Sequence, residues 1–207
     1  MNPEKINEPN KWGSFNGFSP LISVFKNFHQ LSPEIEYIIN TQTFPVAYKK
    51  HKFISSPLHH NRYIFLLVKG VARGYMKEDD KEITTWIASE NELVGNIRNL
   101  WNEDGSTEEY VQALEDVVAI AVPHDMSRQL YLNFDIANYV GRKMTQLHYL
   151  SACERAYISR LQSAEKRYLR FIKTYPHLVD RVPLKYIASF LSMRLETLSR
   201  IRSKLIA

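Results

Sequence analysis

Glu196, Ser199, Arg200 and Ser203 recur at three- and four-residue spacing near the C-terminal end of the chain. On a helix turning about 100° per residue they share one arc. An acid, a guanidinium and two hydroxyls on one outward face are groups that hydrogen-bond base edges in a major groove. The opposite arc holds Leu198, Ile201 and Leu205, an apolar face for packing. A shorter helix precedes it, with Ile187 and Leu191 on its inner face and Ala188 where two helices would cross closely. Leu184 to Ala207 therefore reads as a helix-turn-helix. A plain helical hairpin with a solvated charged face fits the same short pattern, so charge has to discriminate.

The chain of 207 residues carries a formal net charge of only +5, but the charge is unevenly placed. Arg155 to Ala207 contains 12 Lys/Arg against 3 Asp/Glu, whereas Met1 to Glu154 contains 15 against 19. That asymmetry suits phosphate-backbone binding by one end. A basic tail also suits an anionic membrane surface. These charges are spread through patterned helices rather than clustered in one run, which favours a folded nucleic-acid module.

Hydrophobic residues make up 44% of the chain, with 12 Tyr, 10 Phe and 3 Trp, enough for a substantial core. The start, MNPEKINEPNKWGS, is polar and loose, and no apolar segment follows it as in a signal peptide. No stretch reaches transmembrane length. The expectation is a cytoplasmic protein with no membrane partner. Cys153, the single cysteine, excludes an internal disulfide and a thiolate cluster, and its expected role is a buried free thiol.

The elements that must position the C-terminal face fall into three regions. Phe18 to Asn40 reads as helical, with Leu21, Ile22, Phe25, Phe28 and Leu31 near helical spacing and Ser32-Pro33 starting a second turn. Phe44 to Val122 reads as β: Arg62–Val68, Val71–Lys77, Glu82–Ala88, Tyr110–Leu114 and Val117–Val122, punctuated at Lys69-Gly70, Glu78–Lys81 and Glu115-Asp116. Such spacing suggests a sandwich or barrel. Asp125 to Leu161 reads as one long helix interrupted by no breaker except Gly141. Its stripe of Ile136, Val140, Met144, Leu147, Leu150 and Ile158 suits either packing on its own barrel or pairing with a second copy, and pairing is the expectation. Ser163 is placed to cap a helix from Ala164 to Thr174, which Tyr175-Pro176 closes. The expected domains are 1–124, 125–161 and 162–207.

Enzymatic chemistry finds no support. No acid/base pair, nucleophile elbow or Gly-rich phosphate loop is present, so no enzyme and no cofactor are expected. One cysteine cannot hold an iron–sulfur cluster. Of the seven histidines, none has a spacing that singles it out, and the adjacent His59 and His60 would point apart.

A β-rich domain, a long helix and a C-terminal helix-turn-helix, in that order, resemble the Crp/Fnr family of bacterial transcription regulators. RYIFLLVKGVARGY (Arg62 to Tyr75), KEITTWIASENELVGN (Lys81 to Asn96), YVQALEDVVAIAVPHDM (Tyr110 to Met126) and VPLKYIASFLSMRLETLSRIRSKL resemble family segments in matching order. The likeness covers roughly Phe44 to Leu205 and is nearest the branch common in Bacteroidetes-type bacteria. It implies an α+β chain: an N-terminal double-stranded β-helix (a jelly roll like cyclic-nucleotide-binding domains), a dimerisation helix around Ile136, Val140, Met144 and Leu147, and a DNA-binding helix-turn-helix. It implies double-stranded DNA as partner, a second copy of the chain, and openings for RNA polymerase and for a small-molecule effector of unknown identity.

The resemblance also assigns roles. The family's recognition helix often shows Glu-x-x-Ser-Arg, found here at Glu196, Ser199 and Arg200. Glu196 and Arg200 would read base edges, with Ser199 assisting and Ser203 on the same face. Thr197, Arg194 and Lys204 would contact phosphates. Leu195 stands where cyclic-AMP-responsive members have Arg, and Ser192 where a Gly usually takes positive φ. The cyclic-nucleotide cassette is degenerate: Gly95 is kept, Asn96 replaces the ribose-binding Glu, and Thr107 and Glu108 fall at the Arg and small-residue positions. Carboxylates there repel a phosphate, and Arg98 is a nearby cation without the set geometry. Cyclic AMP is therefore not the expected ligand. The alternative from another class is a small-molecule-binding or catalytic cupin-type barrel whose basic helices do not read DNA. It would need His/carboxylate metal ligands on the strands, and Arg62 to Val122 contains no His.

Overall fold

A computed structural model of the chain describes residues 10–59, 61–95, 97 and 107–206. They form two compact units, 1–73 with 88–145, and 74–87 with 146–207. Eight strands are present among the described residues: β1 (Phe44–Tyr48), β2 (Phe53–Ser55), β3 (Tyr63–Lys69), β4 (Ala72–Glu78), β5 (Lys81–Ala88), β6 (Leu93–Gly95), β7 (Tyr110–Ala113) and β8 (Val117–Pro123). They build two four-stranded sheets, ordered β1-β8-β3-β6 and β2-β7-β4-β5. That order is a jelly roll, the double-stranded β-helix expected from the sequence.

In the first unit, β8 runs antiparallel to both β1 and β3, with Ala119 opposite Val46 and Ile120 opposite Leu66. Consecutive residues Ile64–Leu67 are all buried, because both faces of this sheet are covered. Ile64, Leu66, Ile120 and Val122 face a helical layer in one core cluster. That layer contains α1 (Pro20–Lys26) and α2 (Pro33–Gln42), each with Pro in its first turn, where a missing N–H costs nothing. The Ser32 hydroxyl accepts the Ile35 N–H at 3.3 Å, which begins α2 where Ser32-Pro33 announced it. Gly70 turns β3 into β4 at φ +102°, and a Cβ there would lie 2.6 Å from the Asp116 carbonyl oxygen.

The long helical run breaks once. The segment expected to be continuous from Asp125 to Leu161 forms α3 (His124–Asn133) and α4 (Asp135–Arg160), with Phe134 extended between them at φ −137°, ψ 113°. Asn133 and Asn138 donate side-chain hydrogen bonds to the Gln129 and Tyr131 carbonyls at 2.7 Å each, so polar side chains take up backbone acceptors at the break. Gly141 sits inside α4 rather than ending it. Its missing Cβ would meet the Tyr131 ring at 2.6 Å, so glycine here permits α3 and α4 to approach.

The apolar stripe on α4 therefore divides. Val140 is 1% exposed within the first unit's own core, and Ile136 and Met144 pack against that core. Leu147 and Leu150, each 54% exposed, remain outward. Ile158 is buried. Cys153 is exposed on α4, not buried as its sequence context suggested. Among the described residues no helix is long and apolar enough to cross a membrane.

The second unit holds the end of α4, α5 (Ala164–Thr174), α6 (Leu184–Phe190), α7 (Leu195–Ile206) and the β4–β5 hairpin from Gly74. The Ser163 hydroxyl accepts the Lys166 N–H at 3.1 Å, capping α5 as expected. Tyr168, Phe171, Ile187, Ala188, Leu191 and Leu198 are buried. The rings of Phe171, Tyr175 and Phe190 meet at centroid distances of 5.4 to 6.1 Å. Leu205, expected on the packing face, is 44% exposed; the face fades from buried Leu198 through half-buried Ile201 as the helix runs on.

Candidate nucleic-acid interface

The turn between α6 and α7 fixes where the C-terminal face points. Ser192 is in the left-handed region at φ 52°. The Met193 N–H bonds the Ala188 carbonyl at 3.0 Å and the Ser192 N–H bonds the Ser189 carbonyl at 3.1 Å. That pair of bonds is a Schellman motif with serine at the position glycine usually fills. The sequence placed a positive-φ residue here, and the backbone adopts it despite the Cβ. The motif ends α6 and releases the chain into Arg194, whose carbonyl accepts the Leu198 N–H at 3.2 Å as α7 begins.

On α7, Glu196, Ser199, Arg200, Ser203 and Lys204 are exposed, as is Arg194 just before it, and Thr197 is half-buried. Leu198 alone on the opposite arc is fully buried. The arc separation read from the sequence thus holds at Leu198 and fades through half-buried Ile201 to exposed Leu205. The side chains of Arg194, Glu196 and Arg200 make no hydrogen bond or ion pair with any described residue, so their polar groups are available to an outside partner. The Ser203 hydroxyl donates to the Ser199 carbonyl at 3.1 Å, which leaves its oxygen as an acceptor. Lys204 lies 3.9 Å from Glu165, an exposed pair of little strength. Glu196 in the first turn complements the positive end of the helix.

Two side-chain clusters tie the neighbouring helices together, one of them reaching the turn before α7. Arg167 donates to the Leu161 carbonyl at 3.0 Å and, at 3.5 Å, to the Ser192 carbonyl, linking the segment after α4 to the turn. Arg170 grips Glu154 with two bonds of 2.5 and 2.8 Å, and the Thr174 hydroxyl adds a third at 3.0 Å. These bonds, Arg170 first, hold the Glu154 carboxyl below its usual range. The Arg170 guanidinium also lies over the Tyr157 ring at 5.4 Å.

The degenerate cassette is partly visible. Gly95 closes β6 at φ +107°. The Thr107 hydroxyl accepts the Glu109 N–H at 3.2 Å, and Glu108 is exposed. Asn96 and Arg98 lie outside the described residues, as does His60. On the second sheet the structure shows a group that the sequence did not reveal. Arg73 on β4, 1% exposed, donates from Nε at 3.1 Å and Nη2 at 2.8 Å to the Gln112 side-chain oxygen on β7. Its signal was an arginine set between Val71-Ala72 and Gly74-Tyr75, in the buried first half of the strand. Among the described residues no group of three His, Cys, Asp or Glu is placed to hold a metal.

No family model and no curated protein matches the sequence. Solved structures do. A protein described as a transcriptional regulator of the crp/fnr family from Eubacterium rectale aligns with TM-score 0.71 at 15% identity, over 89% of this chain and 88% of its own. The fold is that of the Crp/Fnr regulators. The c-di-GMP-responsive global regulator CLP of Xanthomonas campestris aligns with TM-score 0.65 at 15% identity, covering 84% of this chain and 91% of that one. A cyclic-nucleotide-binding-domain protein of Listeria monocytogenes gives 0.65 at 10% identity, with 90% and 88% covered. The Crp/Fnr fold is shared at identities where few side chains are, so residue roles rest on the geometry above.

Proposed function

We propose that this chain is a transcription regulator of the Crp/Fnr type that reads double-stranded DNA through α7. One observation carries the reading: Arg194, Glu196 and Arg200 stand exposed and unpaired beside Ser199 on one arc of a helix whose other side is buried through Leu198. Arg200 is suited to donate twice to a guanine edge, and Glu196 to accept from a cytosine amino group. Arg194, Thr197 and Lys204 are placed for phosphates. The excess of 12 basic over 3 acidic residues after Glu154 supplies the counter-charge for the backbone.

The reading includes a two-fold dimer. Because Ile136, Val140 and Met144 are committed to the first unit's core, the pairing surface on α4 is its outward side, with Leu147 and Leu150 exposed. A symmetric dimer sets two recognition helices in successive major grooves, so its operator is a near-palindrome with half-sites about one helical turn apart. Selection of bound duplexes from a random pool tests this: enrichment of a near-palindrome supports it, and enrichment of no sequence refutes it.

The barrel, on this reading, senses something other than cyclic AMP or has lost its ligand. The Thr107 hydroxyl is engaged by its own loop, and Glu108 beside it carries the wrong charge for a phosphate. Titration calorimetry with cyclic AMP at micromolar concentration is expected to show no binding heat; submicromolar affinity would overturn this part.

A further inference from the structure

Ser189 does something on α6 that no DNA contact requires. Its hydroxyl accepts the Thr84 N–H at 2.9 Å and donates to the Glu82 carbonyl at 3.1 Å. Both partners are main-chain groups of β5, the last strand in its sheet order. Residues two apart on a strand point their N–H and C=O to the same side. An edge strand presents such groups unpaired. One hydroxyl oxygen here serves as donor and acceptor together, taking the place a neighbouring strand would fill. Ser189, Glu82 and Thr84 belong to the same compact unit.

The place of Ser189 in α6 gives the contact leverage. Its own carbonyl accepts the Ser192 N–H in the Schellman turn. The side chain that grips β5 and the backbone that sets the entry to α7 therefore belong to one residue. Arg167 holds the other side of the same turn through the Ser192 carbonyl. Along the chain, β5 follows β4, whose first two residues, Ala72 and Arg73, belong to the first unit.

We propose that Ser189 is a positioning residue for DNA reading: its hydroxyl locks α6, and with it α7, to the main-chain edge of β5, so that the hairpin sets the angle at which α7 is presented. This rests on the DNA-reading function proposed above. A dimer tolerates only the half-site spacing that its two recognition helices span. Loss of the lock leaves the contacts of α7 intact and loosens its angle, which widens the tolerated spacing.

The test compares the full-length wild type with Ser189→Ala and Ser189→Thr, the second retaining a hydroxyl. Hydrogen exchange at the Thr84 amide reads the lock without DNA. Ser189→Ala is expected to speed that exchange roughly three- to tenfold, the range that loss of ordinary hydrogen bonds supplies, and Ser189→Thr to restore protection. Unchanged exchange in Ser189→Ala overturns the lock. Binding is then measured to a duplex selected by the wild type and to versions with one base pair added to or removed from the spacer. Ser189→Ala is expected to reduce the affinity ratio favouring the selected spacing over the altered ones by about threefold or more, with Ser189→Thr returning it. Faster exchange with an unaltered spacing preference overturns the positioning role and leaves edge protection. Failure of the wild type to select any duplex refutes the DNA-reading function instead, while the exchange result still decides the lock.

Discussion

At the scale of single residues, Ser192 holds a left-handed backbone at φ 52° with a Cβ that disfavours it. Glycine would keep the Schellman bonds and remove that strain. Ser192→Gly is expected to raise stability by about 1 kcal/mol in denaturant unfolding; a loss of stability would mean the serine side chain contributes more than its strain costs. His124 offers a second test. It is buried at the start of α3, its Nε2 meets no hydrogen-bond partner among the described residues, and burial first, Arg128 second, pushes its pKa down from 6.5 to about 4. The unfolded chain takes up this proton near pH 6.5 and the folded chain only near pH 4, so stability present above 6.5 is lost as pH falls towards 4. The contribution to the slope is at most about 1.4 kcal/mol per pH unit. NMR titration should find the ring neutral at pH 5.5; a midpoint near 6 would show that the site is wetter than its burial indicates.

At the scale of elements, the sequence pattern carried far where a face is defined by its own helix or strand. Strands β3, β4, β5, β7 and β8, the Ser163 cap and the α6–α7 turn lie where residue types place them, whereas the three-residue β6 (Leu93–Gly95) carries no such signal. It carried less where the deciding partner is distant. The run from Asp125 onward looked continuous because no Pro or Gly interrupts it near Phe134, yet α3 folds back so that Tyr131 meets Gly141. No local signal marks that contact. It makes a prediction of two parts. Gly141→Ala alone should destabilise by roughly 1–3 kcal/mol through overpacking against the Tyr131 ring. In a Tyr131→Ser background the same change should stabilise by up to about 1 kcal/mol, because alanine is the better helix residue. Equal effects in both backgrounds would show that the ring does not set the approach of the helices.

At the scale of the whole molecule, the α4 stripe shows why one apolar periodicity can serve two surfaces. Six residues share helical spacing in the sequence, but Val140 is consumed by the chain's own core and Leu150 is not. Burial, which no single sequence displays, separates them. A charge at Met144 would disturb the core as well as any interface, whereas Leu150→Glu changes only the exposed side. Light scattering at tens of micromolar is expected to give a dimer for the wild type and a shift towards monomer for Leu150→Glu; a wild-type monomer would contradict the pairing. Charge asymmetry between the two ends was legible from composition alone. The buried Arg73–Gln112 pair and the Ser189 contact with β5 were not, because each depends on a partner 39 to 107 residues away.

The central claim is that α7 reads bases through Arg200. The most direct measurement is binding of wild type, Arg200→Ala and Lys204→Ala to a selected duplex and to its scrambled counterpart across a salt series. Arg200→Ala should lose roughly 1–3 kcal/mol on the selected duplex, with little loss on the scrambled one, because a bidentate base contact is removed. Lys204→Ala should weaken both duplexes alike and flatten the dependence on salt, because only a phosphate contact is lost. Equal loss on both duplexes for Arg200→Ala would make Arg200 a backbone clamp and contradict the assignment of the reading face.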